Sequence, residues 1–322
     1  MQRQITTALA AILLLSSGCM QLDGAVHNAR HCSILGPEHC EDESDEFSKL
    51  CTPCDEAYTW DISPPWPSNF LENTDLDRLR TPANVTQHTI KTEDGEGELD
   101  LYVIPSHGEH TQTSNITILL QHGNYAGIEH YIPRVLILHE LGFEVIIWDY
   151  RGYGKSLPDT TPNPDQFMAD ARQIRDLADT LKNPPNKLVI YGMSLGALPS
   201  VEMALHNPPC AMVLETPFTS FAEITKTNTA TSLGSGFLSQ GDYENDQKIK
   251  EYTNPLLVFH ASEDNLFPEP SVRKVYDNAG STEKRFRIIE GAHHGVSDGV
   301  PETAGFTTYS DMLMFTLMPA CQ

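Results

Sequence analysis

The stretch Lys187 to Ala197, KLVIYGMSLGA, decides how the rest of the chain is read. Leu188, Val189, Ile190 and Tyr191 form an apolar, partly β-branched run of the kind that makes a buried strand. The run ends in Gly192-Met193-Ser194-Leu195-Gly196, a G-x-S-x-G sequence. In that motif a strand turns sharply into a helix, and flanking glycines let the backbone fold back tightly enough to present a serine hydroxyl at the strand's end. Such a short motif recurs by chance in a chain with 21 glycines. The strand before it and the partners found elsewhere must therefore carry the reading.

Outward from that stretch, 322 residues suffice for a sizeable core, and α/β folds of this length are often one domain. Arg3, the apolar run Ala8 to Leu15 and Ser16-Ser17-Gly18 read as a signal peptide over residues 1–18, too short to span a bilayer. Leu15 to Cys19 resembles a bacterial lipobox, with Ser16 where that pattern usually has Leu. The expectation is export, lipidation of Cys19, and an envelope lipoprotein anchored in the membrane through that lipid. Met20 after the cysteine favours the outer membrane, facing the periplasm or the exterior, in a Gram-negative host; ordinary secretion is the alternative.

A net charge of −23 argues against nucleic acid as a partner, because a polyanion is repelled and gains nothing from counterion release. The cluster from Glu41 to Glu46 reads as a solvated, self-repelling surface segment. With Cys19 set aside, Cys32, Cys40, Cys51, Cys54, Cys210 and Cys321 remain, an even number that argues for disulfides in an exported protein. Cys32 to Cys54 are expected to close locally, and Cys210 with Cys321 to tie the end of the chain to the core. A zinc site using His31, His39 and the neighbouring cysteines is disfavoured, because thiols in an oxidising compartment pair with each other. A redox pair at Cys51 and Cys54 lacks the strand and helix such a motif needs.

Residues 19–67 have little periodicity and read as a Cys-rich irregular segment. The regular pattern belongs to residues 68–322. Val85 to Lys91 and Glu98 to Ile104 read as strands around the turn at Asp94 to Gly97. Asn115 to Leu120, Phe143 to Trp148, Met212 to Glu215, Leu256 to His260 and Arg285 to Ile289 are further strands. Ile128 to Leu141, Pro164 to Leu181, the segment after Ser194 and Thr308 to Leu317 are helices. The alternation predicts an α/β fold with a mostly parallel central sheet covered by helices on both faces. Ligands in such sheets bind beyond the carboxyl ends of the strands, where Ser194, Asn124 and Asp264 all fall.

Six segments together resemble the α/β-hydrolase superfamily, in its small-lid, abhydrolase-domain branch related to prolyl oligopeptidases. They are His122-Gly123-Asn124, DYRGYGKS (Asp149 to Ser156), Gly192 to Gly196, LETPFTS (Leu214 to Ser220), Tyr243 to Lys250 and LVFHASEDNLFP (Leu257 to Pro268). The similarity covers about Val85 to Leu317. It implies a nucleophile, acid and base in the order Ser194, Asp264, His294, the acid four residues before Pro268 and the base three after Gly291. A serine hydroxyl needs such a base to take its proton and an acid to orient that base. Glu263 is one residue out of register, Glu215 reads as structural beneath the site, and His293 as a neighbour turned away. His122, His130, His139 and His260 read as structural. The oxyanion hole implied is the backbone N–H of Leu195 with that of Asn124, or of Tyr125 in its place. Gly154-Lys155-Ser156 mimics the end of a phosphate-binding loop, but Asp149 stands where the first Gly belongs, so no nucleotide and no other cofactor is expected.

The insertion between about residues 219 and 253 is short, with Gly234, Gly236 and Gly241 among small and polar neighbours. A small lid of this kind points to an exposed site for a small-molecule or lipid acyl substrate, an ester or thioester, cleaved through an acyl-enzyme at Ser194. A peptidase using the same residues, and a non-catalytic binding protein of the cell envelope, are the competing readings.

Overall fold

The computed structural model describes residues 20–21, 57–61, 66–110, 113–158, 160, 162–220, 237–238 and 243–322. The signal peptide, Cys19, the cysteines from Cys32 to Cys54 and most of the expected lid lie outside the described residues. Among those described, no helix is long and apolar enough to cross a membrane.

Continuous apolar runs make the central strands. The order is β1 (Thr86–Lys91), β2 (Glu98–Ile104), β3 (Ile116–Gln121), α1 (Ile128–Glu140), β4 (Glu144–Trp148), α2 (Pro164–Leu181), β5 (Lys187–Met193) and, after a 3₁₀ turn at Ser194–Gly196, α3 (Ala197–His206). Then follow β6 (Ala211–Glu215), α4 (Asn245–Lys248), β7 (Leu256–Ala261), α5 (Glu269–Asn278), β8 (Lys284–Ile289), α6 (Val300–Ala304) and α7 (Phe306–Ala320). The strands form one eight-stranded sheet in the order β8-β7-β6-β5-β3-β4-β2-β1. β1 with β2 and β2 with β4 run antiparallel; every other pairing is parallel. β5 lies at the centre, with Ile190 opposite Leu119 of β3 and Met212 of β6.

Alternate side chains of each strand divide between two cores, as the two-residue period of a pleated strand requires. Ile118, Leu120, Val145, Ile147, Val189 and Tyr191 pack on one face under α1 and α7. Leu119, Ile146, Trp148, Leu188 and Ile190 pack on the other under α2, α3 and α5. Local signals set the helix ends. Asn163 and Gln166 form a reciprocal capping box ahead of α2, whose first residue is Pro164. Gly142, at φ +87°, lets the chain leave α1 for β4.

The helices α5 and α6 are absent from the sequence reading. α5 buries only Ser271, Val272 and Val275, a stripe too narrow to register as a helical period. The packed unit also begins before the periodic sequence does. Tyr58 is buried, its ring 5.2 Å from that of Tyr102 and 4.2 Å below the Lys155 ammonium.

Two long-range ties hold the layers. Cys210, just before β6, forms a disulfide with Cys321 at the end of α7, closing 111 residues. On the same side of the sheet, fully buried Arg134 of α1 pairs with Glu215 at the end of β6 and, at 3.3 Å, with Glu302 of α6. Tyr191 of β5 donates its hydroxyl to Glu215 and lies 2.8 Å from the Tyr309 hydroxyl of α7. Burial pushes the Glu302 carboxyl up to about 7, with Arg134 opposing and Glu215 reinforcing that shift.

Cys321→Ser should lower the free energy of unfolding by about 2–4 kcal/mol, because the unfolded chain regains the freedom of a long loop. Denaturant unfolding with and without reductant checks this; an unchanged midpoint in the variant would remove the disulfide from the account. Glu302 has a pH signature. Its folded pKa lies above the ordinary 4.5, so the folded state binds more protons than the unfolded one between about 4.5 and 7. The stability it contributes is complete below that window and lost as pH rises through it, by up to about 1.4 kcal/mol per pH unit for one proton. Glu302→Gln should flatten the pH dependence of stability from pH 5 to 7, and parallel urea-derived curves for the two proteins would contradict the assignment.

Candidate active site

The site begins where β5 ends. Ser194 adopts φ +49°, a left-handed conformation disfavoured for a residue with a side chain. The glycines beside it serve close approach. A Cβ on Gly196 would lie 2.3 Å from the Gln121 carbonyl oxygen and 2.6 Å from that of His122; one on Gly192 would lie 2.2 Å from Ser200 Oγ. The chain can therefore turn only against the end of β3. Ala126, at φ +54°, and Thr216, at φ +40°, are strained in the same sense. Thr216 shares a cavity wall with Ser194, so backbone strain gathers around one point.

Three sequence-predicted residues meet there. Ser194 Oγ lies 2.8 Å from His294 Nε2, and His294 Nδ1 lies 2.8 Å from Asp264 Oδ2. Asp264 follows β7 and its other oxygen accepts the N–H groups of Leu266 and Phe267, each at 2.8 Å. These two donors orient the carboxylate, and the Phe267 ring packs 5.2 Å from the His294 ring. Glu263 is exposed and its N–H donates to the Ala292 carbonyl. His293 is exposed too, with its N–H donating to the Asp298 carbonyl. Glu215 is committed to Arg134 and Tyr191.

The residues expected to stabilise an oxyanion flank the same point. Leu195, buried, follows Ser194 in the 3₁₀ turn that leads into α3. Asn124 lines the cavity with Ser194, and the Tyr125 N–H donates to the Tyr131 hydroxyl at 3.4 Å. A Cβ on Gly123 would sit 2.6 Å from that hydroxyl and 3.5 Å from Ser194 Cβ. The loop thus runs against the serine.

The residues that hold this loop were missed as such in the sequence. Tyr150 donates to the His122 carbonyl and Tyr153 to Asn124 Oδ1, each at 2.6 Å. Asp149 accepts the Ile128 N–H at 2.8 Å, the Lys155 N–H at 3.3 Å and the Tyr58 hydroxyl at 3.2 Å. Burial, then Glu129 and Asp100, raises the Asp149 carboxyl well above the usual range. Burial lowers His122 to about 3, so its neutral ring donates from Nδ1 to the Gly123 carbonyl at 2.7 Å. DYRGYGKS, two tyrosines and an aspartate in one short run beside a buried strand, marks the segment but not the partners of its side chains. His139, lowered to about 4 by burial, and His260, lowered for the same reason, are also buried; His260 lies close enough to Asp264 and His294 to feel their charges but hydrogen-bonds to neither.

The cavity beside Ser194 holds about 430 Å³ and is lined on two sides by the loop after β3 and the loop carrying His294. Such an arrangement can present a hydroxyl, a proton acceptor and backbone donors to one carbonyl group.

Residues 112–240 and 223–298 match the Hydrolase_4 family, described as serine aminopeptidase, S33. The chain is 30% identical over 182 residues to an uncharacterized protein of Mycobacterium tuberculosis, covering 56% of this chain and 63% of that one. It is 30% identical over 186 residues to the lysophosphatidylserine lipase of Macaca fascicularis, covering 52% of this chain and 46% of that one. The chain thus spans less than two thirds of the length of either relative. An esterase of Pyrococcus furiosus superposes with a TM-score of 0.56 at 18% identity, over 72% of this chain and 91% of that one, a likeness of fold. Because the family match covers more than half of the chain, and the solved-structure likeness gives the same fold, the protein belongs to the Hydrolase_4 family and has the α/β-hydrolase fold.

Proposed function

We propose that the protein is an exported serine hydrolase that cleaves carboxylic esters or thioesters through an acyl-enzyme at Ser194. The observation that carries this reading is the unbroken run of 2.8 Å contacts from Ser194 Oγ through the His294 ring to Asp264. Ser194 Oγ attacks the substrate carbonyl carbon while His294 Nε2 takes its proton, and Asp264 holds the imidazole in the tautomer that leaves Nε2 free to accept. The negative oxygen of the tetrahedral intermediate is met by the N–H groups of Leu195 and Asn124. On collapse, His294 returns the proton to the leaving alcohol or thiol. A water molecule, deprotonated by the same nitrogen, then releases the acid and restores Ser194.

An ester or thioester is favoured over a peptide because the cavity is open and the expected lid is small. The family's description as a serine aminopeptidase keeps peptide cleavage as the second reading. The headgroup of the macaque relative's substrate is not carried over, since the alignment reaches under half of that protein. Export and lipidation at Cys19 belong to the same proposal, resting on the lipobox-like Leu15 to Cys19.

Ser194→Ala should abolish labelling by a fluorophosphonate probe and lower kcat on p-nitrophenyl esters by at least about a thousandfold, with Asp264→Asn losing a comparable factor. Undiminished labelling of Ser194→Ala would refute the nucleophile. Turnover of aminoacyl nitroanilides but not of esters would select the peptidase. Cys19→Ser should move the expressed precursor's product from the detergent phase to the aqueous phase of a Triton X-114 partition; an unaltered distribution would exclude lipidation at Cys19.

A further inference from the structure

The cavity beside Ser194 has an asymmetric electrostatic lining. One wall is aromatic. The His130 ring meets Tyr125 edge-on at 4.8 Å and Tyr131 at 5.0 Å, and all three border the cavity. Another wall is the loop that carries His294, and from it Asp298 contributes a carboxylate. That loop is fixed by its backbone: the Asp298 carbonyl accepts the His293 N–H at 2.9 Å and the Thr303 hydroxyl at 3.0 Å. The Asp298 side chain stands over Gly295, where an added Cβ would lie 3.5 Å from Oδ1. Gly295 directly follows His294, so the carboxylate is one residue removed from the proposed base. Among the described residues lining the cavity there is no Lys and no Arg, and none of the described cations is paired with Asp298. Apolar Leu266, half exposed at 51%, completes the lip.

Asp298 is exposed at the rim of this cavity, and a carboxylate in a cavity that aromatic rings also border attracts cations through its charge, with the ring quadrupole adding to it. The same carboxylate repels a phosphate or a second carboxylate, and the net charge of −23 adds to that field at a distance. We propose that Asp298 makes the site selective by charge: it takes acyl esters bearing an ammonium group close to the scissile carbonyl in preference to neutral ones, and rejects anionic ones. This deepens the ester-hydrolase reading and rests on it. It also removes anionic-headgroup lipids from the substrates expected of this chain. No new covalent step is involved; the ammonium is held while Ser194 attacks the adjacent ester.

The test uses three butyrate esters of matched size: of choline (cationic), of 3,3-dimethylbutanol (the uncharged isostere) and of 2-hydroxyethanesulfonate (anionic). Acid release is followed by pH-stat at low ionic strength, and kcat/KM for each charged ester is divided by the neutral value for the same protein. Wild type should prefer the choline ester roughly three- to tenfold over the neutral one and disfavour the sulfonate by a similar factor. Both ratios should shrink towards one in half-molar salt, as screening requires. Asp298→Asn should compress both ratios, and Asp298→Lys should invert them. Equal rates for the three esters in wild type, or ratios that Asp298→Asn leaves unchanged, would overturn the proposal while leaving the hydrolase reading intact. Absence of turnover on all three, with no fluorophosphonate labelling, would instead overturn the hydrolase reading and this proposal with it.

Discussion

Everything at the site depends on how closely the ends of β3 and β5 approach each other. Neighbouring parallel strands are spaced by their hydrogen bonds, and the turn after β5 presses Gly196 against the carbonyls of Gln121 and His122. No side chain fits between them. Ser194 is consequently held beside the loop that starts at Gly123, at a separation set by the sheet. The left-handed φ of Ser194 costs on the order of 1–2 kcal/mol. It is offset locally, since the Ser194 carbonyl accepts the Phe218 N–H at 2.9 Å and the following residues enter α3 at once.

A buried charge cluster ties the layers that carry this contact. Arg134 reaches Glu215 at the end of β6 and Glu302 of α6. Burying one cation and two carboxylates is expensive, and attraction within the cluster roughly offsets that cost. What it supplies is a set of polar contacts that join α1, β5, β6, α6 and α7. α6 begins two residues after Asp298 and six after His294, so the loop carrying the proposed base is anchored at its far end through Arg134. Asp264 is anchored differently, by two backbone N–H donors within its own loop. The acid is oriented locally, and the base by tertiary structure.

The same difference explains what could be read from the sequence. The central strands are buried on both faces, so they appear as largely apolar runs within Ile116–Gln121, Glu144–Trp148 and Lys187–Met193. The ends of β5, β3 and β7 place Ser194, Asn124 and Asp264 on one edge by topology alone. His294 was legible through its spacing from Gly291 in a family pattern. α5 was not legible, because a helix lying on the surface of a sheet needs few apolar residues to dock. Nor were the roles of Tyr131, Tyr150 and Tyr153, whose hydroxyls support the loop from α1 and from the segment after β4. A tyrosine's hydrogen-bond partner is a property of packing, and no local pattern announces it.

Tyr58 carries that point furthest. It stands in a stretch with no period, adjoining a segment whose composition suggests an appendage, yet its ring is buried against Tyr102 and its hydroxyl reaches Asp149. Asp149 in turn accepts the N–H of Ile128, the first residue of α1, directly after the loop that flanks Ser194. A buried carboxyl with raised proton affinity gains from every donor it is given. Supplying one from outside the sheet makes Tyr58 part of the support for that loop. Periodicity reveals where regular structure starts, whereas the boundary of a cooperative unit is set by burial and hydrogen bonding, and here the two differ by at least the distance from Tyr58 to the first strand.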